Sequence, residues 1–172
     1  MGYGLLIGIV LIYTSFLIYR ERIVFFKKNE RIIRKIQEIK EIREFNQVWC
    51  SISSSKISTS GLFINVYFIK NCIILIEDYS LDLNINRAQY ANTYIIKKKN
   101  SKTEIKNILF RNLSYIKELS LQENGKLILK TENHQQSVFK TITFYSFYNL
   151  SFEFSLPLNK EEVKQLLEFY DI

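Results

Sequence analysis

Glycine is scarce in this chain of 172 residues: there are five, and beyond position 8 only Gly61 and Gly125. Two isolated glycines cannot build a phosphate-cradling loop or a dinucleotide fingerprint, which need several close together. Histidine is scarcer, with only His134 in the polar stretch TENHQQ, where a solvated hairpin connection is expected. A catalytic triad or a histidine-based metal site needs convergent partners, and that stretch supplies none. Cys50 and Cys72 lack CxxC spacing and are expected to be reduced, buried and inert. The acidic doublets Glu77–Asp78 and Glu161–Glu162 fall at a strand end and in a helix's first turn, where structure alone explains them. No catalytic, cofactor-binding or metal residue is therefore assigned, no cofactor is expected, and the chain is read as no enzyme.

Charge is missing from one end. No charged side chain precedes Arg20, and Gly2 to Tyr19 is mostly Leu, Ile and Val. As a helix this run is about 27 Å long at 1.5 Å per residue, near the thickness of a hydrocarbon core. A cleaved signal peptide needs a basic start and a small-residue cleavage site, and neither is present. MGYGLL lacks the Ser or Thr of a myristoylation signal, since Leu6 stands in its place. The expectation is a transmembrane anchor at residues 1–19, with Tyr3, Tyr13 and Tyr19 at interfacial depth. Gly4 and Gly8 have the spacing that lets two such helices dimerise closely, although this pair is common in any apolar twenty-mer.

Arg20, Arg22, Lys27, Lys28, Arg31 and Arg34 follow at once. A short-range excess of Lys and Arg marks the cytoplasmic side. That places the chain in the inner, cytoplasmic membrane as a single-pass protein, amino terminus outside and carboxyl-terminal domain in the cytoplasm. The NLS triplets at Asn112 and Asn149 would then stay unglycosylated.

Residues 20–45 read as a basic amphipathic juxtamembrane helix. Phe25, Ile32, Ile36, Ile39 and Ile42 form a stripe at helical spacing, and Glu30–Arg34 and Lys40–Glu44 add four-residue charge pairs. The stripe has three uses: lying on a membrane surface, pairing with a second copy, or packing on the following domain. Its glutamates favour the last two.

From residue 46 to 172 the period changes to that of strands. GLFINVYFIKNCIILIED gives two strands, Leu62 to Ile69 and Cys72 to Asp78, reversing at Lys70 and Asn71. YANTYIIKKK gives another. NLSYIKELSLQENGKLILKT is a hairpin about its ENG turn. QSVFKTITFY and NLSFEFSL make a second, in which Leu150, Phe152, Phe154 and Leu156 alternate with polar residues. PLNKEEVKQLLEFYDI closes the chain as a helix. Asn159 is its N-cap, Glu162 completes a capping box, Leu158 and Val163 form the staple, and Val163, Leu166, Leu167 and Tyr170 make the apolar face. The fold class expected is α+β: the transmembrane and linker helices, then a mainly antiparallel β-barrel or sandwich plugged by a carboxyl-terminal helix.

The FIKNCIILIED hairpin, the NLSYIKELSL strand entry, the LILKT return and the NKEEVKQLLEFY helix follow in an order that resembles bacterial pleckstrin-homology-like domains, including the related GRAM type. The likeness covers residues 48–172 and rests on topology and pattern. It implies a barrel or sandwich that binds lipid head groups, peptides or its own copies without catalysis, and it transfers no ligand residues. A lipocalin-like or other small barrel stays open.

The formal charge is +7, yet acidic residues interrupt any continuous basic track, so nucleic acid is not expected as a partner. Candidate lipid head-group contacts are Lys97, Lys98, Lys99 and Lys102 in IIKKKNSK, together with Lys27 and Lys28. The commoner reading of IIKKKNSK is a solvated basic loop. The partners expected are membrane lipid and a protein partner or a second copy. Two function classes follow: a membrane-anchored, cytoplasm-facing interaction module, or an accessory, immunity-type membrane protein whose anchor is the working part.

Overall fold

One helix, α1 (Gly2–Gln37), opens the chain, and a ring of strands with a closing helix follows it. The computed structural model describes residues 2–55, 58–78, 92–101, 112–137 and 145–170. It divides the chain into two units, Met1–Glu38 and Ile39–Ile172.

In the first unit the two expected helices are one. No glycine or proline lies between Gly8 and Gln37, so nothing interrupts the backbone ladder where the composition changes at Arg20. The expected end at residue 45 is also corrected. Ile42, Arg43, Glu44 and Phe45 open strand β1 and pair with Ile69, Phe68, Tyr67 and Val66. Cross-strand packing overrides the local helical pattern there. Of the expected stripe, Ile32 and Ile36 are buried, Ile39 lies beyond the helix and Ile42 belongs to the sheet. The Phe25 side chain is outside the described residues.

The membrane anchor is corrected too. Among the described residues no helix is long and apolar enough to cross a membrane. The expected transmembrane helix, the single-pass inner-membrane location and the orientation read from the flanking charges are withdrawn with it.

The second unit is a closed seven-stranded barrel. Its strands are β1 (Ile42–Ser53), β2 (Ser58–Ile69), β3 (Cys72–Glu77), β4 (Thr93–Lys97), β5 (Asn112–Leu121), β6 (Lys126–Ser137) and β8 (Ser151–Ser155). They lie in the order β5-β4-β3-β2-β1-β8-β6, and pairing of β5 with β6 closes the ring. Strand β7 (Tyr145–Tyr148) pairs with β6 beyond the ring. Every pairing is antiparallel except β4 with β5. β7 and β8 are two parts of one course along β6, interrupted at Asn149 and Leu150. Buried Thr131 satisfies that break. Its N–H and hydroxyl donate to the Leu150 carbonyl at 2.7 and 3.1 Å, and its oxygen accepts the Leu150 N–H at 3.2 Å.

A sheet closes into so small a ring only if its strands coil, and bulges supply the bend. β1 is irregular between Phe45 and Val48 and again between Cys50 and Ile52. At the first irregularity Gln47 takes φ 55°, and its N–H donates to Asn65 Oδ1 at 2.9 Å. β5 and β6 are irregular at Leu113/Tyr115 and Ile116/Glu118.

Alternate residues fill the interior: Val48, Cys50 and Ile52 from β1, Ile64, Val66 and Phe68 from β2, Leu127 and Leu129 from β6, Phe152 and Phe154 from β8. β3 is buried along its whole length. Ile73 and Leu75 face the barrel core. Ile74 and Ile76 point the other way, and with Ile69 of β2 and Ile95 of β4 they form a second buried layer. A strand buried on both faces reads as a continuous apolar run, and CIILI is one.

Helix α2 (Lys160–Tyr170) seats Leu166 and Tyr170 in the barrel core. Its capping box forms as expected: Glu162 N–H donates to Asn159 Oδ1 at 2.9 Å and Asn159 N–H to Glu162 Oε2 at 2.8 Å. The Tyr170 hydroxyl lies 2.8 Å from both the Ile69 and Cys72 carbonyl oxygens, which flank the β2–β3 turn. Arg43 donates to Gln165 Oε1 at 3.0 Å.

Candidate interaction surface

Alternation along β1 turns Val48, Cys50 and Ile52 inward, which sends Trp49, Ser51 and Ser53 outward. Trp49, the sole tryptophan of the chain, is 56% exposed on the outer wall of the barrel. It is nonetheless held. Gly61 of β2 has φ 80°, and a Cβ there would run into the indole at Cζ2 and Cη2. The ring therefore covers the bare backbone of Gly61, an aromatic shielding a strand glycine. Phe63, its cross-strand neighbour, meets it edge to face at a centroid distance of 5.0 Å and 71°. One side of the indole is thus fixed by the sheet and the rest is presented to solvent. The sequence signal was available: a lone Trp out of phase with Val48, Cys50 and Ile52.

Of the expected lysine contacts, Lys97, Lys98 and Lys99 have described side chains. Lys97 ends β4 and is half-buried, while Lys98 and Lys99 are exposed just after it. Lys99 Nζ is 3.1 Å from Glu132 Oε1, so its charge is already matched. Lys102 lies outside the described residues, and Lys27 and Lys28 lie on α1 with side chains outside them. Gly4 and Gly8 sit near the start of α1, with nothing within 4 Å of where a Cβ would be. His134 corrects an expectation: it belongs to β6, opposite Tyr148, and not to a connection. Of the strand expected over QSVFKTITFY, residues 138–144 lie outside the described residues. Asn149 is engaged locally, its Oδ1 accepting the Asn133 N–H at 3.3 Å.

The cysteines are buried and free. Burial pushes the Cys50 thiol up to about 12, with the Glu77 charge adding to the effect and a backbone hydrogen bond at Glu153 opposing it. Burial also pushes Cys72 up to about 12 against the pull of Lys97. The thiolate is the nucleophile, so neither sulfur is poised to react. Tyr67 is raised to about 12 by burial and by Glu44 beside it.

Glu77, only 5% exposed, has a local role. Asn92 donates its N–H to Oε2 at 2.9 Å and its amide to both oxygens at 3.0 and 2.9 Å; the Tyr94 hydroxyl donates to Oε1 at 3.1 Å. The carboxylate thus ties the end of β3 to the entry of β4. Among the described residues no three His, Cys, Asp or Glu side chains gather as a metal site. Compared with known proteins, the chain matches no family model, no curated sequence and no solved structure.

Proposed function

We propose that this chain is a non-catalytic interaction module whose barrel, built on a pleckstrin-homology-like plan, binds a protein partner on the outer face of β1 and β2. Two features support the plan: a ring of seven strands and a closing helix that inserts Leu166 and Tyr170 into the core. The interior is filled by Phe68, Phe152, Phe154 and their aliphatic neighbours, which directs recognition to the outer wall.

The observation that carries the reading is Trp49. Tryptophan is enriched among the few residues that dominate binding energy, and an aromatic ring held before binding loses little conformational freedom on contact. Trp49 meets both conditions, being more than half exposed and fixed by Gly61 and Phe63. The serines at 51 and 53 on the same face supply the polar rim such a contact uses.

The test is affinity capture with the full chain against its Trp49→Ala variant, with thermal unfolding measured on both. At least one protein held by the natural chain is expected to be lost about tenfold or more in the variant, with no change in the barrel's unfolding midpoint large enough to explain it. Adding that protein is expected to shift the single tryptophan's emission to the blue. An unchanged set of captured proteins would reject the assignment of Trp49.

A further inference from the structure

The strongest unanswered feature of the molecule is the first half of α1. Leu6, Ile9, Val10, Leu11 and Ile12 are 64, 58, 51, 61 and 73% exposed. At about 100° per residue, these five side chains are distributed around the whole circumference of the helix. An ordinary surface helix shows a single apolar stripe. A groove or a flat sheet would cover one side of this helix and leave the others in water. Ile7, Phe16 and Ile18 on the same stretch are 60, 57 and 46% exposed, and a contiguous apolar surface of this kind marks an interaction site rather than ordinary monomer surface.

We infer that α1 assembles with α1 helices of other copies of this chain into a bundle of three or more, with the segment from Gly4 to Tyr19 as its core. Three arguments select a second copy as the occupant. The neighbour has to be a helix segment of matching length without charge, and another α1 meets this requirement because the run before Arg20 has no charged side chain. The other described helix, α2, already has its apolar residues Val163, Leu166 and Tyr170 buried. Open space above Gly4 and Gly8 leaves room for a neighbouring backbone to approach. More than two copies are needed because a pair buries only the facing sides of an all-round apolar rod. Closed symmetric assembly is the usual outcome for identical chains.

The full chain, purified without detergent, is to be weighed by light scattering on a sizing column and by sedimentation velocity. The expected result is one discrete species of three or more chain masses. Ile12→Lys, combined with Ile9→Lys, is expected to reduce it to a single chain mass while tryptophan emission stays unchanged, since Trp49 lies in the barrel. A natural chain that runs at one chain mass overturns the inference. So does a chain that stays dispersed only with detergent or lipid bound, one copy per micelle, which would make lipid the occupant. A one-to-one complex with a different protein through α1 overturns it as well. Because these readouts do not involve Trp49 binding, failure here leaves the proposed function standing, and the converse holds.

Discussion

The indole of Trp49 occupies the space that a side chain at position 61 would need, so residue 61 is a glycine for two reasons at once. Its φ of 80° is open to glycine without strain, and the ring above it excludes a Cβ. Gly61→Ala is accordingly expected to destabilise the barrel by about 1–2 kcal/mol and to free the indole. Trp49 is the only tryptophan, so emission reports this site alone. A red shift and stronger acrylamide quenching are expected; an unchanged spectrum would contradict the placement.

Tyr170 fastens α2 to the other end of β2, at the β2–β3 turn. Its hydroxyl meets the carbonyls of Ile69 and Cys72, and its ring meets Phe68 edge to face at 5.6 Å. Tyr170→Phe keeps the ring and removes the donor. A loss of about 1–2 kcal/mol is expected in urea unfolding, with an unchanged m-value because the same surface is exposed. A loss within a few tenths of a kcal/mol would show that water or another group satisfies the two carbonyls.

Burial of both cysteines gives a pH prediction with a definite sign. In the folded chain each thiol stays protonated up to about 12, against an ordinary value of 9.0. Between those values the unfolded state has lost protons that the folded state still holds, so stability falls as pH rises. Stability owed to these thiols is fully present below about pH 9 and is lost progressively from about 9 to 12. Chemical unfolding between about pH 8 and 11 checks this: replacing both with Ala is expected to flatten the slope, apart from what Tyr67, Tyr148 and Tyr170, also raised by burial, contribute. Labelling of the folded chain with a thiol reagent at neutral pH is expected to be slow and to track unfolding.

Glu77 is expected to be a structural carboxylate. Glu77→Ala removes the acceptor that the Asn92 N–H, the Asn92 amide and the Tyr94 hydroxyl share, with an expected cost of about 2–3 kcal/mol. Glu77→Gln keeps an acceptor and is expected to cost less. Hydrogen exchange at the Asn92 amide is the local readout: it should accelerate in Glu77→Ala and less in Glu77→Gln.

Much of the barrel was legible because it rests on spacing within a few residues. Phe152 and Phe154 alternate with Ser151, Glu153 and Ser155, and they are buried and turned inward. Asn159 and Glu162 stand three apart, and they cap α2 reciprocally. Lys70 and Asn71 separate two apolar runs, and Asn71 takes φ 65° in the turn. Cues of this kind depend on neighbours along the chain. The strand assignment of His134 was missed for the complementary reason: TENHQQ is polar and reads as loop, yet β6 continues through it because β5 and β7 pair with it.

By itself, the sequence determined that strands run through Leu62–Ile69, Cys72–Glu77 and Ser151–Ser155 and where α2 begins. It also determined that the run from Gly2 to Tyr19 is apolar on every side, but apolarity states only that water must be excluded and not by what. Only the tertiary structure decided that α1 continues to Gln37 and that Ile42 to Phe45 leave the helical pattern for β1. It alone paired Cys50 with Phe154 and closed β5 on β6, and so placed Trp49 over Gly61 on the outer wall. Those outcomes depend on register between distant strands, and register is selected by which side chains fill one shared core, a quantity no local window contains.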